Sequence, residues 1–276
     1  MRQRLIWLAV AIAAVMPAFG GTVSVNLGSA SSFGLLGGTI SNTGTSVVTG
    51  NVGVGGAAGT ITGFNSSAGT TVGGSVIAPG TTASNDAYSD FVNAFNAAEL
   101  LSSTQSYTDL TTSETFIGNN VYTFTDPSIS TTTGINLTFD AQYDPSEVFV
   151  IRIAQALTVN GAMTFTLEYG AQADNIFWIV GTDATISVSS SGPINFYGNI
   201  LAGDTFTMSA AAGGSGVLAG TINGCAFSEN ANTLAGTTDV GGCSEAGAVP
   251  EPGTLSLLSM GLGAGFLLLR RFRSIR

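Results

Sequence analysis

The chain has no histidine, and all seven of its basic residues are arginine, so lysine is missing as well. A serine nucleophile needs a base beside it. Without histidine the usual arrangement is gone, and without lysine so is its main substitute, which removes nucleophilic hydrolysis of the common kinds. Two cysteines with no histidine are a poor metal set, so neither a metal nor a cofactor is expected. Charge is scarce, at 9% of residues. Arg2 and Arg4 stand at the start, Arg270, Arg271, Arg273 and Arg276 at the end, and only Arg152 lies between. The middle is therefore anionic, which argues against nucleic acid or acidic polymers as partners. No glycine loop leads into a helix with a Lys-Ser/Thr ending, so the phosphate-binding form is absent too.

What is present is 44% hydrophobic residues and 38 glycines in 276. That is too apolar for a disordered chain and too glycine-rich for a helical one, and it predicts a single mostly β domain with short tails. Arg2 and Arg4 precede LIWLAVAIAAV and then PAFGG, the order of a secretory signal peptide over residues 1–20. The apolar run is short of the roughly 20 residues a membrane-spanning helix needs. In an exported chain Cys225 and Cys243 are expected to form a disulfide, worth roughly 3 kcal/mol through loop-closure entropy.

At the other end, residues 246–276 carry Val249, Pro250, Glu251 and Pro252, an apolar stretch at about 254–269, and four arginines in the last seven residues. As physical chemistry this is a marginal membrane anchor loosened by Gly261, Gly263 and Gly265, with its arginines on the cytoplasmic side. The order of its parts resembles a PEP-CTERM sorting signal. That resemblance implies processing by an exosortase and delivery to the cell surface, outer envelope or exopolymer matrix, with membrane contact only through this segment. An ordinary tail anchor is the plainer alternative.

Between the two ends, residues 21–245 are rich in Thr, Ser, Gly and β-branched residues, which predicts short strands joined by tight turns. One stretch differs. In SNDAYSDFVNAFNAAELLSS, Tyr88, Phe91, Val92, Phe95 and Ala98 recur at helical spacing, with Asp86 and Asp90 near the start. This predicts one amphipathic helix at about 85–103, its aromatic stripe packed on the β core. Setting residues 136–156 above 164–184 without a gap aligns Phe139 with Leu167, Asp140 with Glu168, Val148 with Ile176 and Phe149 with Phe177. Two shorter turns follow, returning after about 20 residues, as in a chain wound into a solenoid with rungs about 4.8 Å apart.

The blocks GSASSFGLLGGTISNTGTSVVTGNVGV, DPSEVFVIRI, GAQADNIFWIVG and GNILAG, together with the helix, resemble the ice-binding proteins of bacteria, algae and fungi. The likeness runs from about Leu27 to Val240. It implies a discontinuous right-handed β-solenoid of roughly triangular section, to which both ends of the domain contribute rungs, with the long helix along one face.

Three successive rungs carry similar triplets: Thr158-Val159-Asn160, Thr185-Ile186-Ser187 and Thr205-Phe206-Thr207. The middle residue should point inward and its neighbours outward, so stacking would give a two-column ladder of hydroxyl, methyl and amide groups. A flat, uncharged ladder can hold ordered water without the tight hydration of charges, and its short side chains lose little rotamer entropy. With the family likeness, this implies ice or an ordered water surface as the partner. Thr and Ser also suit any exposed strand, and an adhesive matrix protein of the same fold, binding exopolysaccharide and not ice, is the alternative. A second face, with Asn136, Thr138, Thr164 and Thr166, carries Asp140 and Glu168 and suits ice less well. Asp140, Asp144, Glu147 and Arg152 could be read as a glycan-cleaving set or the acids as a calcium site. FDAQYDPSE reads more simply as a polar turn entering a rung, and no enzymatic activity is expected.

Overall fold

Runs such as FVIRI, IFWIV and ATISV, each closed by glycine or a small polar residue, form parallel strands that wind around a single core. The computed structural model describes residues 23–64, 70–126, 128–131, 134–160, 163–188, 194–210 and 220–243. The expected signal peptide, the sorting motif at Val249, Pro250, Glu251 and Pro252, and the apolar stretch after it lie outside these residues. Among the described residues no helix is long and apolar enough to cross a membrane.

Each coil contributes strands to three faces. The first is an eight-stranded sheet in the order Asn51–Val54, Phe33–Gly37, Ala226–Ser228, Asn199–Ala202, Ile176–Val180, Phe149–Ile153, Asn120–Phe124 and Gln105–Tyr107. The second has seven strands in the order Ile129–Thr131, Leu157–Val159, Ala184–Val188, Thr205–Ala210, Ala231–Ala235, Thr39–Asn42 and Thr60–Thr62. The third is split into a three-stranded group, Glu114–Ile117, Ile135–Asp140 and Met163–Glu168, and a five-stranded group running from Ile194–Tyr197 to Thr71–Val72.

The coils are not stacked in chain order. The final coil, residues 226–240, pairs on one side with the coil before it and on the other with the first coil, where Leu36 meets Phe227 and Ser41 meets Thr233. The solenoid is thus discontinuous. The helix carries the chain from the N-terminal coils back to the far end, where it resumes at Gln105.

That helix runs Thr82–Glu99, starting and ending a few residues earlier than its aromatic spacing predicts. Thr81 sets its start by accepting a hydrogen bond from Ser84 N, as an N-cap residue does. Its inner face buries Ala87, Phe91, Ala94, Phe95 and Ala98, with Tyr88 and Val92 partly buried beside them. They pack on Leu36, Val121, Val150, Phe177, Ile179, Leu201 and Phe227, which point outward from the eight-stranded sheet. Phe91 meets Phe227 edge to face at 5.5 Å. Strands of this sheet are consequently buried on both sides, and this is why they read as unbroken apolar runs.

The ungapped alignment of 136–156 with 164–184 holds only in part. Phe139 pairs with Leu167 and Asp140 with Glu168, but Phe149 pairs with Ile176 and Val150 with Phe177, so the expected partners of Val148 and Phe149 are each displaced by one residue. The corner after Asp140 is one residue longer than the corner after Glu168. It turns through Gln142 and Tyr143, both at positive φ, where the second corner uses Tyr169 and Gly170. The later turns are also longer than about 20 residues, since Ser187 lies beside Ser209, 22 residues on. Gly198 turns one of these corners at φ +113, and a Cβ there would come within 2.9 Å of Trp178 Nε1 and Ile176 O.

Candidate functional site

Among the described residues the helix packs on the eight-stranded sheet and not on the seven-stranded one, whose outward residues are almost all small and polar. Backbone register sets them in columns. Ser130 pairs with Thr158, Thr158 with Thr185, Thr185 with Thr207, Thr207 with Thr233, Thr233 with Ser41, and Ser41 with Thr62. Every rung thus places a hydroxyl in the same column. Inward neighbours such as Val159, Ile186, Met208 and Leu234 are fully buried and hold the sheet from behind. In parallel strands the rungs lie about 4.8 Å apart. This column is therefore a straight row on a rigid backing.

A second column flanks the first, with Ser187 beside Ser209 and Ser209 beside Ala235. Asn160 follows the paired Val159 on the neighbouring rung. The register therefore aligns the first two sequence triplets with each other and displaces the third. Thr207, not Thr205, is the counterpart of Thr185, and Ser209, not Thr207, is the counterpart of Ser187. The register is carried over from the preceding face, where Val180 pairs with Ala202, and it shifts the third triplet by two residues while keeping it on the same side. Thr205 falls in a further column on the opposite flank, paired with Ala231, which pairs with Thr39, which pairs with Thr60.

The hydroxyls of Thr158, Thr185 and Thr207 make no hydrogen bond to protein among the described residues and face outward. Cross-rung bonds do occur, weakly, between Ser41 Oγ and Thr233 Oγ1 (3.4 Å) and between Ser187 Oγ and Ser209 Oγ (3.3 Å). Ser130, Thr233, Ser41, Thr62 and Ser209 are the ladder residues that sequence reading missed. Their strands, such as TIT and ANTLA, show the same alternation, but rungs paired across 192 residues give no local sign of adjacency.

The third face differs in chemistry. Asn136 pairs with Thr164 and Thr138 with Thr166, but Asp140 and Glu168 stand at their edge. In the other group Thr221 is followed by Asp239 and then Val47. Partial burial pushes the Asp239 carboxyl above its ordinary range.

The acids weighed for catalysis form a turn. Asp140 accepts from Gln142 N at 2.7 Å, and Asp144 accepts from Ser146 Oγ at 2.6 Å and Ser146 N at 3.0 Å. Those Ser146 bonds hold the Asp144 carboxyl below its usual range, the side-chain bond foremost. Desolvation, aided by the Asp144 charge, pushes Glu147 up. Arg152 points elsewhere. Its Nη1 donates to Glu99 O (2.6 Å) and Leu101 O (2.8 Å) at the helix C-terminus, and Nη2 donates to Thr123 Oγ1 (3.0 Å). Its charge complements the carbonyl end of the helix. Among the described residues no group of acids and cysteines is placed to hold a metal. Cys225 and Cys243 are joined as a disulfide, with Cα atoms 4.8 Å apart.

Residues 35–239 match the family model described as ice-binding-like, and residues 248–273 match that of the PEP-CTERM protein-sorting motif. An ice-binding protein of Nostoc sp. (strain HG1) is 32% identical over 258 residues, covering 90% of this chain and 87% of that protein. The crystal structure of an ice-binding protein from the Antarctic ascomycete Antarctomyces psychrotrophicus superposes with a TM-score of 0.60 at 28% identity, over 78% of this chain and 97% of the other. A glycosylated ice-binding protein from an Arctic yeast does so with a TM-score of 0.63 at 26% identity, over 83% and 97%.

Proposed function

Because the chain belongs to the ice-binding-like family, we propose that it is an exported, non-enzymatic protein that adsorbs to ice through the seven-stranded face, with Thr158, Asn160, Thr185, Ser187 and Thr207 at its centre. One observation carries this reading: the unbroken column of hydroxyls from Ser130 to Thr62. Such a row offers methyls and hydroxyls at fixed spacing with no charge within the column itself, so a sheet of water can order against it without stripping ions of their hydration. The other two faces suit this less well. One is covered by the helix, and the third is divided and acidic.

The sorting motif supports delivery to the cell surface after a signal peptide over residues 1–20 is removed, with an exosortase as the processing partner. There the protein would hold cells at ice or limit recrystallisation around them.

Thermal hysteresis and ice recrystallisation inhibition, measured on residues 22–248, test the reading. The unmodified domain is expected to be active. Thr207→Tyr, which sets a ring in the middle of the column, should remove most of that activity, whereas Thr166→Tyr on the third face should leave it unchanged. An inactive parent domain would overturn the proposal. A greater loss from Thr166→Tyr than from Thr207→Tyr would move the contact to the third face.

A further inference from the structure

The flank column of the ladder face runs Ala156, Asp183, Thr205, Ala231, Thr39, Thr60. Its upper part is set by register, with Thr205 on Ala231, Ala231 on Thr39 and Thr39 on Thr60. Its lower part follows from the pairing of Leu157 with Ala184 and of Ala184 with Phe206, which brings Ala156, Asp183 and Thr205 into line. Five of these six residues are small and uncharged. Asp183 is the exception, and it is the one charged residue among the described outward positions of this face.

Its carboxylate has a second effect. Thr205 Oγ1 donates to Asp183 Oδ1 at 2.5 Å, a short charge-assisted bond. The Thr205 hydroxyl proton is therefore committed to a neighbour, unlike those of Thr158, Thr185 and Thr207. One acid thus removes two adjacent positions from a column that could otherwise face water as the central one does. A carboxylate in contact with an ordered water sheet must either keep its own hydration shell, which interrupts the sheet, or lose it at a large cost in free energy.

We propose that Asp183 sets the width of the ice-binding surface. It confines the contact to two columns at the central rungs and prevents the third column from joining those above and below. This rests on the reading of the ladder face as the ice contact, and it assigns Asp183 the role of limiting that contact. A neutral residue here would extend the flat surface across three columns.

The experiment compares the full exported chain with Asp183→Asn, Asp183→Thr and Asp204→Asn. Asp204 lies in the adjoining corner, where its carboxylate accepts from Asn230 Nδ2 at 3.1 Å, so its variant removes the same charge and a similar bond from beside the face. Thermal hysteresis at equal concentration should rise above the parent in both Asp183 variants and stay at the parent level in Asp204→Asn. The concentration needed to stop recrystallisation should fall in parallel. If the parent is active and properly folded Asp183 variants are no better than it, or if Asp204→Asn gains as much, the inference fails while the ladder reading stands. If the parent itself has no effect on ice, the ladder reading fails and the inference falls with it. Using two replacements at position 183, checked by circular dichroism, separates a folding defect in either one from a true absence of gain.

Discussion

The helix-covered face and the ladder face come from the same coils and share the same core, yet they end in opposite states. On the covered face, Leu36, Phe227, Leu201 and Ile179 form an outward apolar row in register, and the helix seals it. The next position in that row is Arg152, beside Ile179, and there the helix stops, its last carbonyls taken by the guanidinium. On the ladder face the same outward positions carry hydroxyls, and no described element covers them. Backbone geometry is common to both. What differs is the side chain at every second residue, and this decides whether a strand recruits a helix or stays open to water.

That contrast can be tested from the covered side. Phe91→Ala removes the largest fully buried side chain of the helix and should cost about 3–5 kcal/mol. Chemical denaturation should register the loss, while ice activity per folded molecule stays at the parent level because the ladder's backing lies on the other side of the core. A parallel loss of ice activity in the folded fraction would show that the two faces are not independent.

Arg152→Ala asks a finer question: whether the end of the apolar row needs its cation. It would strip Glu99 O and Leu101 O of their donor and leave the partly buried Glu99 carboxyl, already pushed up by desolvation and drawn down only by Arg152, without its counter-charge. A cost of about 2 kcal/mol is expected, along with faster amide exchange in the last helical turn.

The smallest effect belongs to Asp90 on the helix's outer flank. It accepts from Ser29 Oγ at 2.6 Å and Ser29 N at 2.8 Å, and these bonds hold its carboxyl below its ordinary value. A lowered folded-state pKa contributes stability that is present above the unfolded value near about 4 and is lost as pH falls through the folded value. Because the site is exposed, Asp90→Asn should cost less than about 1 kcal/mol at neutral pH and flatten the acid limb of a melting-temperature profile.

The helix was legible from its aromatic spacing, since Phe91 and Phe95 do face the sheet. Its contact surface also depends on Ala87 and Ala94, whose small size permits close approach and leaves no strong pattern. The register of Asp140 on Glu168 was legible because both strands have the same length. Beyond it, one extra corner residue near Tyr143 displaced every later pair. In the ladder, matching Thr205 to Thr185 by residue type misled, because register follows the main chain and not side-chain identity. Two of the seven column hydroxyls were out of reach of sequence spacing altogether. Ser41 and Thr62 join it only because the final coil sits between them and the rest.

That final coil acts as a keystone. Until residues 226–240 are available, the strand Phe33–Gly37 and the strand Asn199–Ala202 each present an edge whose proper neighbour has not yet been made, and such edges are prone to pair with other chains. Contacts spanning so much of the sequence also make closure slow. The disulfide from Cys225 to Cys243 begins just before this coil and ends just after it, drawing a covalent ring around the piece that joins the two halves. Among the described coils, the fold is thus fastened by the last to be synthesised, and a continuous hydroxyl row exists only once that fastening is done.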